Sequence, residues 1–221
     1  MPTLQGLPQI VAAIGGLGTA AFGLVDASKA IGGGVNNIGF GAIKKTIQSL
    51  TPGTPANALS QDKILATLKA NWFNGTDLVS QNSIAKSLIK LNLGTTNAKA
   101  LASTTGVDPE VLAEVASSMA SGTPLTPSQS DVYGRFDLIV TALLDEAYQR
   151  SDNNYRNWTR AIAAVVAVLL AVVGGQMLTP RPDSIWLSVL VGLLATPLAP
   201  IAKDISSALA TAVNTLQAIR K

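Results

Sequence analysis

Three stretches of the chain lack charge while the remainder alternates normally between polar and apolar positions. Residues 1–25, 161–180 and 184–202 contain no Lys, Arg, Asp or Glu side chain. Two of them hold near-continuous apolar runs, AIAAVVAVLLAVVGGQML from Ala161 to Leu178 and IWLSVLVGLLATPLAPIA from Ile185 to Ala202. At about 1.5 Å per helical residue each nearly crosses a hydrocarbon core of about 30 Å. Thr179-Pro180-Arg181-Pro182-Asp183 lies between them, and its prolines stop a helix. An antiparallel hairpin is the expected result, with Trp186 near an interface. A hairpin buried in a soluble core is the competing reading of the same runs.

The first run is weaker. Ile10 to Val25 is uncharged but short, and a full span needs Leu4 to Gln9 or the positions past Asp26. Small residues dominate it. Ala12, Gly16 and Ala20 fall four apart on one face, and Gly15, Thr19, Gly23 and Ala27 form a second small stripe beside it. In lipid such residues let helix backbones approach closely, so both stripes are candidate packing faces. Gly16-Leu17-Gly18-Thr19-Ala20-Ala21 also matches the glycine turn that cradles a dinucleotide pyrophosphate. That motif needs a second parallel strand and an acid about twenty residues on. No such strand follows, and Lys44-Lys45 stands near where the acid belongs.

Between the runs the pattern is helical throughout, with no sustained period-two alternation. After the first run, AIGGGVNNIGFGAIKKTIQSL either continues the helix or lies along the interface, and Thr51-Pro52-Gly53-Thr54-Pro55 breaks it. Ser60 is placed to cap a helix bearing Ile64, Leu65, Leu68, Trp72 and Phe73, ending near Gly75. A second carries Ile84, Leu88 and Leu91 and ends at Gly94. A third has Asp108 as N-cap, Pro109, Glu110, the stripe Val111, Leu112, Val115 and Met119, and Gly122 as its stop. Ser128-Gln129-Ser130-Asp131 has capping-box spacing. Beyond it Val132, Phe136, Ile139, Val140, Leu143, Leu144 and Ala147 mark a helix that either breaks at 151–154 or runs on into the second apolar run. Tyr155 and Trp158 with Arg156 and Arg160 fit an interfacial belt. At the end of the chain Ile205, Leu209, Ala212, Leu216 and Ile219 form a short heptad seam, for a partner or for the protein's own helices.

The expected fold is therefore an all-α integral membrane protein with three transmembrane helices and a helical cytoplasmic segment. Its parts are an N-terminal span with a glycine-rich extension (1–50), short cytoplasmic helices (51–128), an amphipathic helix leading into the membrane (129–160), the hairpin (161–202) and an amphipathic C-terminal helix (203–221).

Composition agrees with this division. The 221 residues are 48% hydrophobic and only 13% charged, about half the charge of an ordinary soluble domain, and mean hydropathy is +0.34. Without Cys or His, disulfides, thiolate or imidazole metal sites and Ser-His-Asp triads are excluded. The net charge of +3 is not a nucleic-acid footprint, because Asp26 to Arg160 holds 12 basic and 11 acidic residues and aromatics are scarce. The adjacent carboxylates Asp145 and Glu146 point about 100° apart on a helix and cannot chelate one ion together. MPTLQGLPQ has no basic n-region and no cleavage site follows it, so the first run is expected to be retained.

Charges at the span ends set orientation. Nothing before Ile10 is basic, whereas Lys29, Lys44 and Lys45 follow the first run, Arg150, Arg156 and Arg160 precede the second, and Lys203, Arg220 and Lys221 follow the third. The positive-inside rule then puts the N-terminus and the 179–184 turn outside, with residues 30–160 and the C-terminus cytoplasmic. Asp26, Lys29, Lys203 and Asp204 fall at interfacial positions, where charges need partners. Either Asp26 pairs with Lys203, or Lys29 with Asp204, or all four reach headgroups independently.

Two stretches carry a resemblance. The segment FDLIVTALLDEAYQRSDNNYRNWTR (136–160) has a Phe-Asp start and an aromatic-plus-arginine entry to a span. Leu198-Ala199-Pro200-Ile201-Ala202-Lys203-Asp204 has Ala-Pro, three residues, then Asp, with Leu209 five residues later. Both are similar to a family of uncharacterised bacterial membrane proteins built from one N-terminal span, a helical cytoplasmic stretch and a C-terminal two-span hairpin. This chain departs in its Gly- and Ala-rich first span and in lacking the family's aromatic run after Ala-Pro. The resemblance implies a topology in a bacterial inner membrane and no activity.

These features lead to a non-enzymatic membrane subunit without metal or cofactor. It is expected to contact lipid and to self-assemble or pack with other membrane proteins as a structural component, with no nucleic-acid partner. The alternative is a pore-forming or permeability-altering protein, although no run carries the interior polar series that would select ions.

Overall fold

Helix ends show most directly how local sequence becomes structure here. In the computed structural model, which describes residues 7–53, 60–178 and 185–201, the Asp108 carboxylate accepts hydrogen bonds from the Glu110 and Val111 amides at 2.9 and 3.0 Å. It satisfies donors that every helix start leaves open. Pro109 follows where a missing N–H costs nothing, and the helix ends at Gly122, whose φ of 70° suits a residue without a Cβ. Ser60 and Asp77 begin two other helices in the same way, accepting from the Lys63 and Ser80 amides.

In chain order the described helices are α1 (Leu7–Ala27), α2 (Gly34–Gly39), α3 (Gly41–Leu50), α4 (Gln61–Phe73), α5 (Leu78–Leu91), α6 (Ala98–Thr105), α7 (Pro109–Ser121) and α8 (Pro127–Leu178). They are completed by α9 (Ile185–Ile201). No strand occurs among the described residues. The chain divides into two compact units, one of residues 36–155 and one combining 1–35 with 156–221.

The unit of residues 36–155 has an ordinary apolar core. Ile43, Ile47 and Leu50 of α3, Ile64, Leu68 and Trp72 of α4, Leu112 of α7, and Phe136, Val140, Leu144 and Tyr148 of α8 are all buried in it. Polar clips tie the elements together. The Ser151 hydroxyl accepts from the Ile43 amide at 3.3 Å, and the Trp72 indole donates to the Asn36 carbonyl at 3.1 Å.

Three local expectations change. The buried face of α5 is Gln81, Ala85 and Ile89, with Ile84 and Leu88 only flanking it and Leu91 70% exposed. Gln81 is held there by its side-chain amide, which donates to the Thr76 carbonyl, and by its backbone carbonyl, which accepts from the Tyr148 hydroxyl. The capping box of α8 lies two residues earlier than Ser128. Thr126 and Gln129 exchange the reciprocal pair, Thr126 N to Gln129 Oε1 at 3.0 Å and Gln129 N to Thr126 Oγ1 at 3.3 Å. Tyr155 packs edge-on against Trp72, ring centroids 6.2 Å apart, as part of this core rather than of an interfacial belt. Trp158 remains half-exposed.

In the other unit, α1 is followed by a single 3-10 turn, Ser28–Ala30, and by Gly32, Gly33 and Gly34 at φ 73°, 87° and 45°. Positive φ at three successive glycines turns the chain off the path of α1, so the segment after the first run does not continue α1 and forms α2 and α3 instead. Two stretches are long and apolar enough to cross a membrane by length and composition, Ile10–Ala30 and the apolar part of Pro127–Met177. This is one fewer than the three expected. The remaining helix, Ile185–Ile201, has 17 residues and rises about 25 Å, less than a hydrocarbon core of about 30 Å. α8 is one helix of 52 residues, unbroken at 151–154. The 179–183 turn and the 205–219 seam lie outside the described residues.

Candidate helix-packing site

The unit containing α1, α9 and the later part of α8 is built on small residues. α8 turns Ala163, Ala167 and Ala171 inward, and α9 turns Ser188, Gly192, Ala195 and Ala199 inward. α1 contributes Gly18, Ala21 and Val25, flanked by Ile14 and Leu17. Ala21, Ala167 and Ala195 meet at the centre.

Glycine permits this approach at three places. A Cβ on Gly18 would overlap the Ala195 carbonyl and stand 3.1 Å from the Ala199 Cβ. A Cβ on Gly192 would overlap Val168 Cα and lie 2.8 Å from its nitrogen, and one on Gly175 would overlap the Ser188 hydroxyl. The last two pairs run in opposite directions along the chain, so α8 and α9 are antiparallel, as the apolar runs predict.

Large apolar side chains face outward instead. Val165, Leu169, Val173 and Met177 recur every four residues on the exposed side of α8, and Trp186, Leu187, Leu190, Leu193 and Leu194 are exposed at spacings of one and three on α9. The outward face of α1 differs. Besides Ile10 and Leu24 it presents Ala13, Gly16, Ala20, Gly23 and Ala27.

Of the seven packing positions expected on α1, Gly15 is buried, Ala12 is half-buried, and Gly16, Thr19, Ala20, Gly23 and Ala27 are exposed. The described intrachain contact runs through Gly18 and Ala21, which stripe reading alone did not single out. The signal was available as the 4-3-4 spacing of Ile14, Gly18, Ala21 and Val25. Among the four interfacial charges, Lys29 donates to Asp26 one turn earlier. Lys203 and Asp204 lie outside the described residues.

The unit of residues 36–155 carries a separate polar cluster that spacing did not reveal. A groove of about 600 Å³ runs beside α5 and α8, with Lys86, Lys90, Tyr133 and Asp145 in its lining. Lys86 donates to Asp137 Oδ2 at 2.8 Å, and Lys90 lies 3.0 Å from Oδ1 and 5.2 Å above the Tyr133 ring. Partial burial works against the Asp137 charge, but the hydrogen bonds from Lys86 and Lys90 outweigh it and hold the carboxyl below its usual range. The bond to Asp137 likewise raises Lys90 against its own desolvation. Asp145 accepts from Asn82 and Glu146 pairs with Arg150, so these neighbouring carboxylates serve different partners. The arrangement ties α5 to α8.

Comparison of the chain with protein-family models, curated proteins and solved structures finds no match in any of the three.

Proposed function

We propose that the protein is a non-enzymatic integral membrane subunit that self-assembles or packs with other membrane proteins as a structural component. The observation carrying this reading is the inverted side-chain distribution around α8 and α9, with Ala, Gly and Ser inward and Leu, Val, Met and Trp outward. Water drives the largest apolar residues inward, as in the core of residues 36–155. Lipid removes that drive and rewards close backbone approach. A broad exposed apolar face otherwise marks a site covered by a partner or a membrane.

In this reading α1 and the segment of α8 from Arg156 onward span the bilayer, the latter rising roughly 35 Å. α9, at the lower limit of spanning length, returns beside it. The N-terminus is outside and residues 30–160 and the C-terminus are cytoplasmic, from the distribution of Lys and Arg. A bacterial inner membrane follows from the family resemblance. Assembly is assigned to the outward face of α1, because Gly16, Ala20, Gly23 and Ala27 leave it shallow where α8 and α9 are bulky.

The cysteine-free chain makes the test simple. S60C in intact cells should resist an impermeant maleimide and react after permeabilisation; labelling from outside contradicts the orientation. Native mass spectrometry in detergent should find an oligomer or a stable complex, and a strictly monomeric particle contradicts the assembly role.

A further inference from the structure

Of the chain's asparagines only Asn74 is followed by glycine, and the pair stands where α4 ends. Asn74 is the C-cap residue, at φ −78° and ψ −3°. Gly75 follows at φ 70°, a left-handed conformation suited to a residue without a Cβ. Both are exposed, whereas Trp72 just before them is buried in the core. A Cβ placed on Gly75 would meet nothing within 4 Å, so no neighbouring group crowds this turn. The Asn74 side chain makes no hydrogen bond among the described residues. Backbone bonds restrain the turn instead. The Gly75 amide donates to the Trp72 carbonyl at 3.3 Å and the Thr76 amide to the Asn71 carbonyl at 3.1 Å.

We propose that Asn74 and Gly75 form a self-modification site, at which Asn74 is converted to aspartate and isoaspartate at a rate set by opening of the last turn of α4. The Gly75 amide nitrogen attacks the Asn74 side-chain carbonyl carbon and gives up its proton. A new bond from that nitrogen to Cγ closes a five-membered succinimide. The bond from Cγ to Nδ2 breaks, and the side-chain nitrogen leaves with that proton as ammonia. Water then opens the ring, at Cγ to give aspartate or at the main-chain carbonyl to give isoaspartate. One water enters, one ammonia leaves, and nothing is oxidised or reduced. At ψ −3° the Gly75 nitrogen eclipses the Asn74 nitrogen instead of Cβ, so ring closure requires rotation about ψ. That rotation breaks the bonds made by the Gly75 and Thr76 amides. Fraying of one helix end is among the least costly native openings. The product carries a new negative charge at the C-terminal end of α4, where the helix dipole disfavours an anion. Isoaspartate also lengthens the main chain by one methylene, two residues from buried Trp72.

The test incubates the full chain in an uncharged detergent and mildly alkaline buffer, then maps its peptides by chromatography and mass spectrometry, which separate isoaspartate from aspartate. Asn74 should be converted at least tenfold faster than Asn71 or Asn82, with isoaspartate in excess. N74Q, whose longer side chain would have to close a six-membered ring, should show no conversion at this position. Urea below the unfolding transition should raise the rate, and a peptide of residues 69–79 should react at least fivefold faster than the folded chain. Conversion of Asn74 no faster than that of Asn71 overturns the site. Equal rates in the folded chain and the peptide overturn control by the last turn of α4.

Discussion

Gly18 on α1 and Ala195 on α9 touch backbone to backbone, so closely that a Cβ on Gly18 would stand 2.6 Å from the Ala195 carbonyl carbon. No side-chain rotation relieves such a contact, because the obstructing atoms belong to a helix backbone. Gly18→Ala should therefore separate the helices and destabilise the apolar unit by about 1–3 kcal/mol, the usual cost of overpacking. Gly16→Ala, which meets nothing within 4 Å, should change stability by less than about 0.5 kcal/mol. Thermal unfolding in detergent compares the two.

In the unit of residues 36–155 the corresponding weak point is a large buried side chain. Leu144 is fully buried among Phe136, Val140 and Tyr148. Leu144→Ala should cost about 2–5 kcal/mol through lost burial and the cavity it leaves. Hydrogen exchange should show faster opening of α3, α4 and α8 before any change in α1 or α9.

The cap of α7 predicts a smaller effect. Asp108→Ala removes the acceptor for two amides and should destabilise by about 1 kcal/mol, while Asp108→Ser, itself a good cap, should avoid most of that loss. Amide exchange at Glu110 and Val111 is the local readout.

The Lys86–Asp137–Lys90 cluster predicts a pH dependence with a definite sign. The Asp137 carboxyl is held below its unfolded value of about 3.9, so its stabilisation is present above that pH. It is lost as pH falls through the lower folded value. Lys90 is raised above about 10.4, so its share persists below that pH and disappears as pH rises through the folded value. Melting of the full chain should fall at both extremes, and Asp137→Asn should flatten both arms while lowering stability at neutral pH.

Particular residues explain how much of this was legible beforehand. Asp108, Pro109 and Gly122 each act on their own neighbours, so local sequence was enough to place α7. The Ser60 cap and the Ile64, Leu68, Trp72 stripe were readable for the same reason. α6, with Ser103, Thr104 and Thr105 in eight residues, has little helical signature and is held by the burial of Leu101 and Ala102. Gln81 is polar yet buried, its side-chain amide bonded to the Thr76 carbonyl and its backbone carbonyl to the Tyr148 hydroxyl, and its burial departs from the apparent apolar stripe of α5. On α1 the difficulty is different. Small residues occur on every side, so periodicity identifies several faces, and only the positions of Ala167 and Ala195 select Gly18 and Ala21. The α5–α8 groove brings Lys86 and Asp137 together across 51 residues, a separation at which spacing carries no information.

The central claim is that the outward face of α8 lies in lipid. A nitroxide on Leu169, 59% exposed, tests it most directly, using the full chain carrying L169C reconstituted in phospholipid vesicles. The account predicts that spin relaxation there is accelerated by dissolved oxygen and is almost untouched by a water-soluble nickel chelate. Greater relaxation by the nickel chelate than by oxygen would place that face in water and contradict the account.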